Sequence, residues 1–212
     1  LTTDPTSRAR ERWAHLAARL NVPPDFDLVL DDLLVRHAQP WRAYHTLSHV
    51  LDVLRVLDGL DVSDREAAEL AAWFHDAVYD PRRADNEARS AQLARRSLAS
   101  ILPEAHVERV VSLVLATATH ECGGDEDAAA FVDADLAVLG APRPRYARYA
   151  NAIRREYAWV PEEAYREGRA RVLRGFLGRA RLYVTPGMRS ACEVTARANL
   201  TWELARLEDK GV

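Results

Sequence analysis

Tyr44-His45-Thr46-Leu47-Ser48-His49 is the stretch whose reading decides the fold. With its neighbours it sets Trp41, Tyr44, Leu47, Val50, Leu51, Leu54 and Leu57 at the three-and-four spacing of one helix face. Pro40 suits a first helical turn, where its missing N–H costs nothing, and Gly59 closes the pattern. The spacing therefore predicts a helix over 40–59, with His45, His49 and Asp52 along one edge.

Downstream, Ser63-Asp64-Arg65-Glu66 has the form of a capping box and opens an apolar run that ends in Ala71-Ala72-Trp73-Phe74-His75-Asp76-Ala77-Val78. This run is read as a second helix carrying His75-Asp76 near its C-terminal end. Tyr79-Asp80-Pro81-Arg82-Arg83 breaks it, because proline and the residue before it resist helix continuation. Further helices are predicted over 85–100, from Pro103 towards His120, and over 127–139, where Gly140 stops the last. Upstream, 8–20 and 26–37 repeat the helical period; beyond 140, so do 145–159, 162–178 and 188–207. No period-two alternation persists and no repeat occurs. The expectation is an all-α, single-domain helical bundle over 1–212, with a metal-site core over about 41–140 and C-terminal helices over 145–208 packing on it.

At 212 residues and 48% hydrophobic content the chain can bury a sizeable core. Its net charge of −3 gives no global field for nucleic acid, and no basic-aromatic module is present, so nucleic-acid binding is not expected. Lys210 is the only lysine beside 28 arginines; coding bias accounts for this as simply as a phosphate-binding surface would. Two cysteines, Cys122 and Cys192, are too few for a disulfide framework or a thiolate metal site. No apolar stretch reaches the roughly 18 residues of a membrane span, and residues 1–12 lack a signal peptide's apolar core. A cytoplasmic protein without membrane association is expected, and Asn199-Leu200-Thr201 is read as a chance sequon.

Imidazoles four residues apart, followed by a His-Asp doublet inside an apolar run, are not what core packing asks for. A divalent cation needs imidazoles and carboxylates converging from separate elements, and His49, His75, Asp76 and a carboxylate of Asp133-Ala134-Asp135 supply them. Two residues on a helix lie about 200° apart, so Asp133 and Asp135 do not both face one ion. His45 reads in two ways. It is a second ligand from the same helix, although zincin helices place glutamate after their first histidine where Thr46 stands here, or it is a general acid beside the metal. Glu87 and Asn86, just after the doublet, suit a supporting role around the ligands, or a helix cap. His120 is a binding candidate or a plain capping histidine; Arg154 and Arg169 are candidate phosphate clamps, and Tyr44 and Tyr79 candidate pocket walls.

These motifs resemble the HD-domain superfamily of metal-dependent phosphohydrolases, whose signature is a histidine, a later His-Asp doublet and a final aspartate. Within it the chain is similar to a family of small bacterial predicted HD phosphohydrolases. Tyr44-His45-(x3)-His49, Trp73 through Asp80, Asn86-Glu87-(x2)-Ser90-Ala91, Asp133-Ala134-Asp135-Leu136 and Ile153-Arg154-(x)-Glu156-Tyr157 carry the likeness. It covers about 41–157, and Gly168-Arg169 and Ala196-Arg197-(x)-Asn199-Leu200 extend it nearly to the end. The first motif is also similar to a segment of cyclic-nucleotide phosphodiesterases.

The resemblance implies an HD-type helical bundle with His49, His75, Asp76 and Asp135 as metal ligands and His45 as proton donor; Glu87, by its place just after the doublet, is the candidate catalytic helper. Tyr44, Asn86, His120 and Arg154 are then candidates for substrate binding. It implies hydrolysis of a phosphomonoester or phosphodiester, nucleotide-like in kind, by metal-activated water. The cofactor is a divalent cation, with manganese, iron, cobalt, nickel, zinc and magnesium all admitted. The expected partner is a small phosphorylated substrate, and homo-oligomerisation is left open. The alternative is a non-catalytic HD module that senses a metal or nucleotide, since a ligand set by itself does not make an enzyme.

Overall fold

Helical periodicity carries through to the architecture. The computed structural model describes residues 4–209, which form ten α-helices and two 3₁₀ turns and no strand, so the class is all-α. The ends of the expected 1–212 span, including Lys210, lie outside the described residues. The chain divides into two compact units, and the division falls between Ala134 and Asp135.

The first unit holds α1 (Pro5–Leu20), α2 (Asp27–His37), α3 (Leu47–Leu57), α4 (Arg65–Phe74), α5 (Asn86–Leu98), α6 (Glu104–Thr119) and α7 (Glu126–Asp135) up to its last residue. At its centre is α4, in which every residue from Ala67 to Phe74 is buried. Four alanines, Ala67, Ala68, Ala71 and Ala72, keep this helix slim, and α1, α3, α5 and α6 all pack on it. Trp73 meets Trp13 edge to face at 5.5 Å, and Trp13 stacks on Phe26 at 4.4 Å. Such aromatic pairs add roughly 0.5–1.5 kcal/mol each beyond the area they bury.

The start of α4 is tied down electrostatically. Asp64, not Ser63, caps the helix by accepting the Ala67 N–H at 3.0 Å. The N–H groups of Ser63 and Asp64 donate instead to the buried Asp127 carboxylate at 2.6 and 3.1 Å. Arg109 bonds that same carboxylate at 3.0 Å and also pairs with Asp125. The capping box expected at Ser63 is thus displaced by one residue, because a carboxylate from a distant helix takes the Ser63 N–H.

The larger departure is at 38–46, where the predicted helix over 40–59 is absent in its first part. These residues are turns and bends, and α3 begins only at Leu47 behind an extended Thr46 N-cap. Had the helix run from Pro40, the His45 carbonyl would have accepted the His49 N–H. In the structure it accepts from Arg42 Nη1 at 2.8 Å, and His49 N–H donates to Thr46 O at 2.9 Å. The buried Arg42 also donates to the distant carbonyls of Asp76 and Ala77, and this tertiary bonding overrides local propensity here.

His37, the last residue of α2, donates its Nε2–H to the Trp73 carbonyl at 3.2 Å and is buried. Nδ1 is buried with no hydrogen-bond partner among the described residues. Burial above all, with the nearby Arg42 charge, lowers the imidazole pKa from 6.5 to about 3. The unfolded chain therefore takes up a proton below 6.5 that the folded chain refuses until about 3. This contribution to stability is complete above 6.5 and is lost as the pH falls from there towards 3. Metal-free protein is expected to lose about 2–3 kcal/mol of unfolding free energy through this group between about pH 7 and about pH 4.5. Urea titrations at both pH values check this: His37→Phe should remove that part of the acid sensitivity, and an unchanged pH dependence in the variant would refute it.

The second unit holds a 3₁₀ turn (Leu136–Gly140), α8 (Arg143–Glu156), α9 (Glu162–Leu177) and α10 (Pro186–Glu208). The expected helix over 127–139 is thus split, since α7 ends at Asp135 and the chain tightens into that turn. Gly140 is required there, because a Cβ on it would lie 2.6 Å from the Cβ of Cys192. Asn199 on α10 donates to the carbonyls of Leu139 and Ala141 at 2.7 and 2.8 Å and is buried, so its amide is a structural clamp. A buried pair, Arg169–Glu203 at 2.8 Å, joins α9 to α10, and Tyr146 of α8 donates its hydroxyl hydrogen to the same glutamate. Among the described residues no helix is long and apolar enough to cross a membrane.

Candidate metal centre

Three side chains converge where α3 begins and α4 ends. His49 stands in the first turn of α3 and is buried, with the Tyr44 ring centroid 4.7 Å from its own. His75 is the residue that closes α4, with its N–H still donating to Ala71 O at 2.8 Å. Asp76 follows immediately, and the chain turns there, with the Ala77 N–H donating to Phe74 O at 2.9 Å.

Hydrogen bonding fixes how His75 presents itself. Its Nδ1 lies 3.0 Å from the Ala72 carbonyl, which only accepts, so Nδ1 carries the proton and Nε2 keeps its lone pair. That Nε2 faces His49 Nε2 at 3.1 Å and Asp76 Oδ2 at 3.0 Å, and His49 Nε2 stands 3.5 Å from the same oxygen. Bonds of about 2.0–2.2 Å to one ion place neighbouring ligand atoms about 3 Å apart, which matches this triangle. Two imidazole nitrogens and a carboxylate oxygen this close together are also a donor set suited to a divalent cation.

Burial pushes the Asp76 carboxyl pKa up, but the positive charge that His75, His45 and His49 carry when protonated outweighs it and holds the group well below the usual carboxylate range; a bound cation would take the place of those protons. Asp76 is therefore an anion beside two imidazoles, as a cation site requires.

The segment before α3 brings further side chains to the same place. His45 is half-buried, with its ring 6.0 Å from that of His49 and stacked on Tyr79 at 4.1 Å with 28° between planes. Tyr44 meets the His45 ring edge to face at 5.0 Å. His45 thus reaches the site from a turn and not from the helix edge that the sequence suggested.

The start of α5 holds the strand of chain that follows the doublet. Asn86 Oδ1 accepts the Asp80 N–H at 3.1 Å and its Nδ2 donates to Asp80 O at 2.9 Å. One turn on, Ser90 Oγ accepts the Val78 N–H at 3.0 Å and donates back to Val78 O. Asn86 and Ser90 are i,i+4 clamps on residues 78–80. Glu87 occupies the same first turn of α5 and is half-buried.

Other sequence candidates have different placements. His120 ends α6 in the left-handed region at φ 57 and serves as its C-cap. Arg154 lies in the second unit, where it donates to Glu162 at 3.0 Å and Tyr157 O at 2.7 Å and covers the Tyr165 ring at 4.5 Å. Asp133 is wholly buried in the first unit, whereas Asp135 is half-buried and opens the second. Among the described residues, the three ligand atoms that lie within 4.8 Å of one another belong to His49, His75 and Asp76. The assignment of Asp135 as last ligand rests on its sequence motif alone.

Arg42 was not among the sequence candidates. It is buried and bonds the carbonyls of both His45 and Asp76, yet nothing in the sequence separates it from 27 other arginines. Comparison with family models, curated proteins and solved structures finds no match to the chain.

Proposed function

We propose that the chain is a metal-dependent phosphohydrolase of the HD-domain type, acting on a small phosphomonoester or phosphodiester. The observation that supports this most directly is the triangle of His49 Nε2, His75 Nε2 and Asp76 Oδ2, with sides of 3.0–3.5 Å. A divalent ion held by these atoms supplies a Lewis acid for a phosphoryl oxygen and water of lowered pKa. The Asp76 anion offsets part of the ion's charge, and the Ala72 carbonyl keeps His75 in the tautomer that offers Nε2.

His45 acts as general acid. It stands beside the triangle, and its stack on Tyr79 fixes the plane of the ring. An imidazole there delivers a proton to the departing ester oxygen near neutral pH. The nucleotide-like nature of the substrate is carried by the sequence resemblance.

Elemental analysis of purified protein, run beside hydrolysis of a phosphoester and nucleotide panel, tests the reading. One divalent cation or more per chain and cation-dependent turnover are expected, and chelation should remove both. A metal-loaded protein that turns over nothing across the panel would overturn it in favour of a metal- or nucleotide-sensing module.

A further inference from the structure

Arg42 sits in the turn segment between α2 and α3, and its guanidinium is shared out over the elements of the site. Nε donates to the Gln39 side chain at 3.1 Å. Nη1 donates to two carbonyls at once, His45 O at 2.8 Å and Asp76 O at 2.7 Å, and Nη2 donates to Ala77 O at 3.1 Å. The same group lies 5.4 Å from the centroid of Tyr79, the ring on which the His45 imidazole is stacked. The Trp41 indole N–H pins the Tyr79 backbone as well, donating to its carbonyl at 3.0 Å.

These bonds meet on two pieces of chain outside the helices, one before α3 and one after α4. One carries His45, and the other carries Asp76 and Tyr79. A planar guanidinium with its donors in a fixed fork sets the spacing of the carbonyls it bridges, whereas a lysine ammonium is a point charge on a flexible stem. His49 and His75 are held differently, by α3 and by the Ala72 carbonyl at the end of α4.

We propose that Arg42 is the positioning residue that sets His45 at its working distance from the His49–His75–Asp76 triangle, an inference that rests on the phosphohydrolase reading above. It touches neither substrate nor ion in this role. It acts through the His45 carbonyl and through Tyr79. Loss of Arg42 loosens the proton donor, while His49 and His75 keep their places and Asp76, which gives up one carbonyl bond, stays in the turn closed by the Ala77 N–H to Phe74 O bond.

The test uses full-length Arg42→Lys and Arg42→Gln, with circular dichroism as the check on folding; if the glutamine variant does not fold, the lysine variant carries the test. Three quantities are read. The first is binding of manganese(II), by titration calorimetry, which should stay within a few-fold of wild type. The second is hydrolysis of a p-nitrophenyl phosphoester against its phenyl counterpart, as monoester or diester, whichever the wild type accepts. The nitrophenolate leaves without a proton, so the phenyl ester should lose about 10–100-fold more than the nitrophenyl ester. The third is carbethoxylation of His45 by diethyl pyrocarbonate in metal-free protein, mapped by mass spectrometry with the exposed His15 as internal standard. Its rate should rise several-fold.

Equal loss on both esters, an unchanged His45 modification rate, wild-type behaviour of Arg42→Lys, or loss of manganese along with activity would each overturn the inference. If wild type hydrolyses neither ester, the phosphohydrolase reading fails by itself, and the His45 modification rate still decides whether Arg42 holds that ring.

Discussion

Purified His75→Ala protein is expected to bind divalent cations more than about 100-fold more weakly than wild type and to show no cation-dependent phosphoester hydrolysis. Mutations that remove only a supporting partner of a metal ligand cost roughly 10–100-fold, so removal of the ligand itself should exceed that range. His75 supplies one corner of the triangle, and the Ala72 carbonyl orients its ring for that role. Because His75 is buried, its truncation leaves a small cavity at the end of α4, and a folding defect would confuse the result. Asp76→Asn avoids this. It keeps the shape of a half-buried side chain and removes the negative charge that His75, His45 and His49 favour. Both variants should lose cation and turnover together, read by titration with manganese(II) and zinc(II) and by the phosphoester assay. Full cation binding or undiminished turnover in either variant would refute the assignment.

What was legible in the sequence followed from periodicity and from chemical improbability. The 3.6-residue spacing of Val50, Leu51, Leu54 and Leu57 returns as buried residues of α3, with Leu47 half-buried at its start, and the alanine-rich run before Phe74 returns as the central helix. The His75-Asp76 doublet stood out because charge within an apolar run is costly unless it is used. The structure brings both of its side chains to His49. What was not legible depended on bonds between distant segments. In the turn at 38–46 the Arg42 guanidinium bonds the distant Asp76 and Ala77 carbonyls, and no local rule distinguishes that arginine from the exposed ones. Likewise Asn86 and Ser90 read equally well as a helix start, and only the position of Val78 and Asp80 shows them to be clamps. Arg154 was a phosphate-clamp candidate by residue type and by its motif, whereas in the structure Glu162, Tyr157 O and Tyr165 engage its guanidinium.

His45→Ala is expected to separate catalysis from binding. The three converging ligand atoms belong to other residues, so cation affinity should stay within a few-fold of wild type. A positioned general acid contributes typically about 10²–10⁴-fold, and hydrolysis of an ester with a strongly basic leaving oxygen should fall by that factor. The imidazole stacks on Tyr79 and is half-buried, so its truncation disturbs a ring contact at the edge of the core and leaves α3 and α4 intact. Manganese(II) titration and steady-state kinetics on the same preparation decide the matter. Retained cation with slowed hydrolysis supports the proton-donor role. Loss of cation to the extent seen in His75→Ala would make His45 a ligand instead, the role that the four-residue spacing from His49 first suggested. Unchanged hydrolysis with cation retained would leave the protonation of the leaving group to water, and His45 would then serve only to wall the site beside Tyr44 and Tyr79.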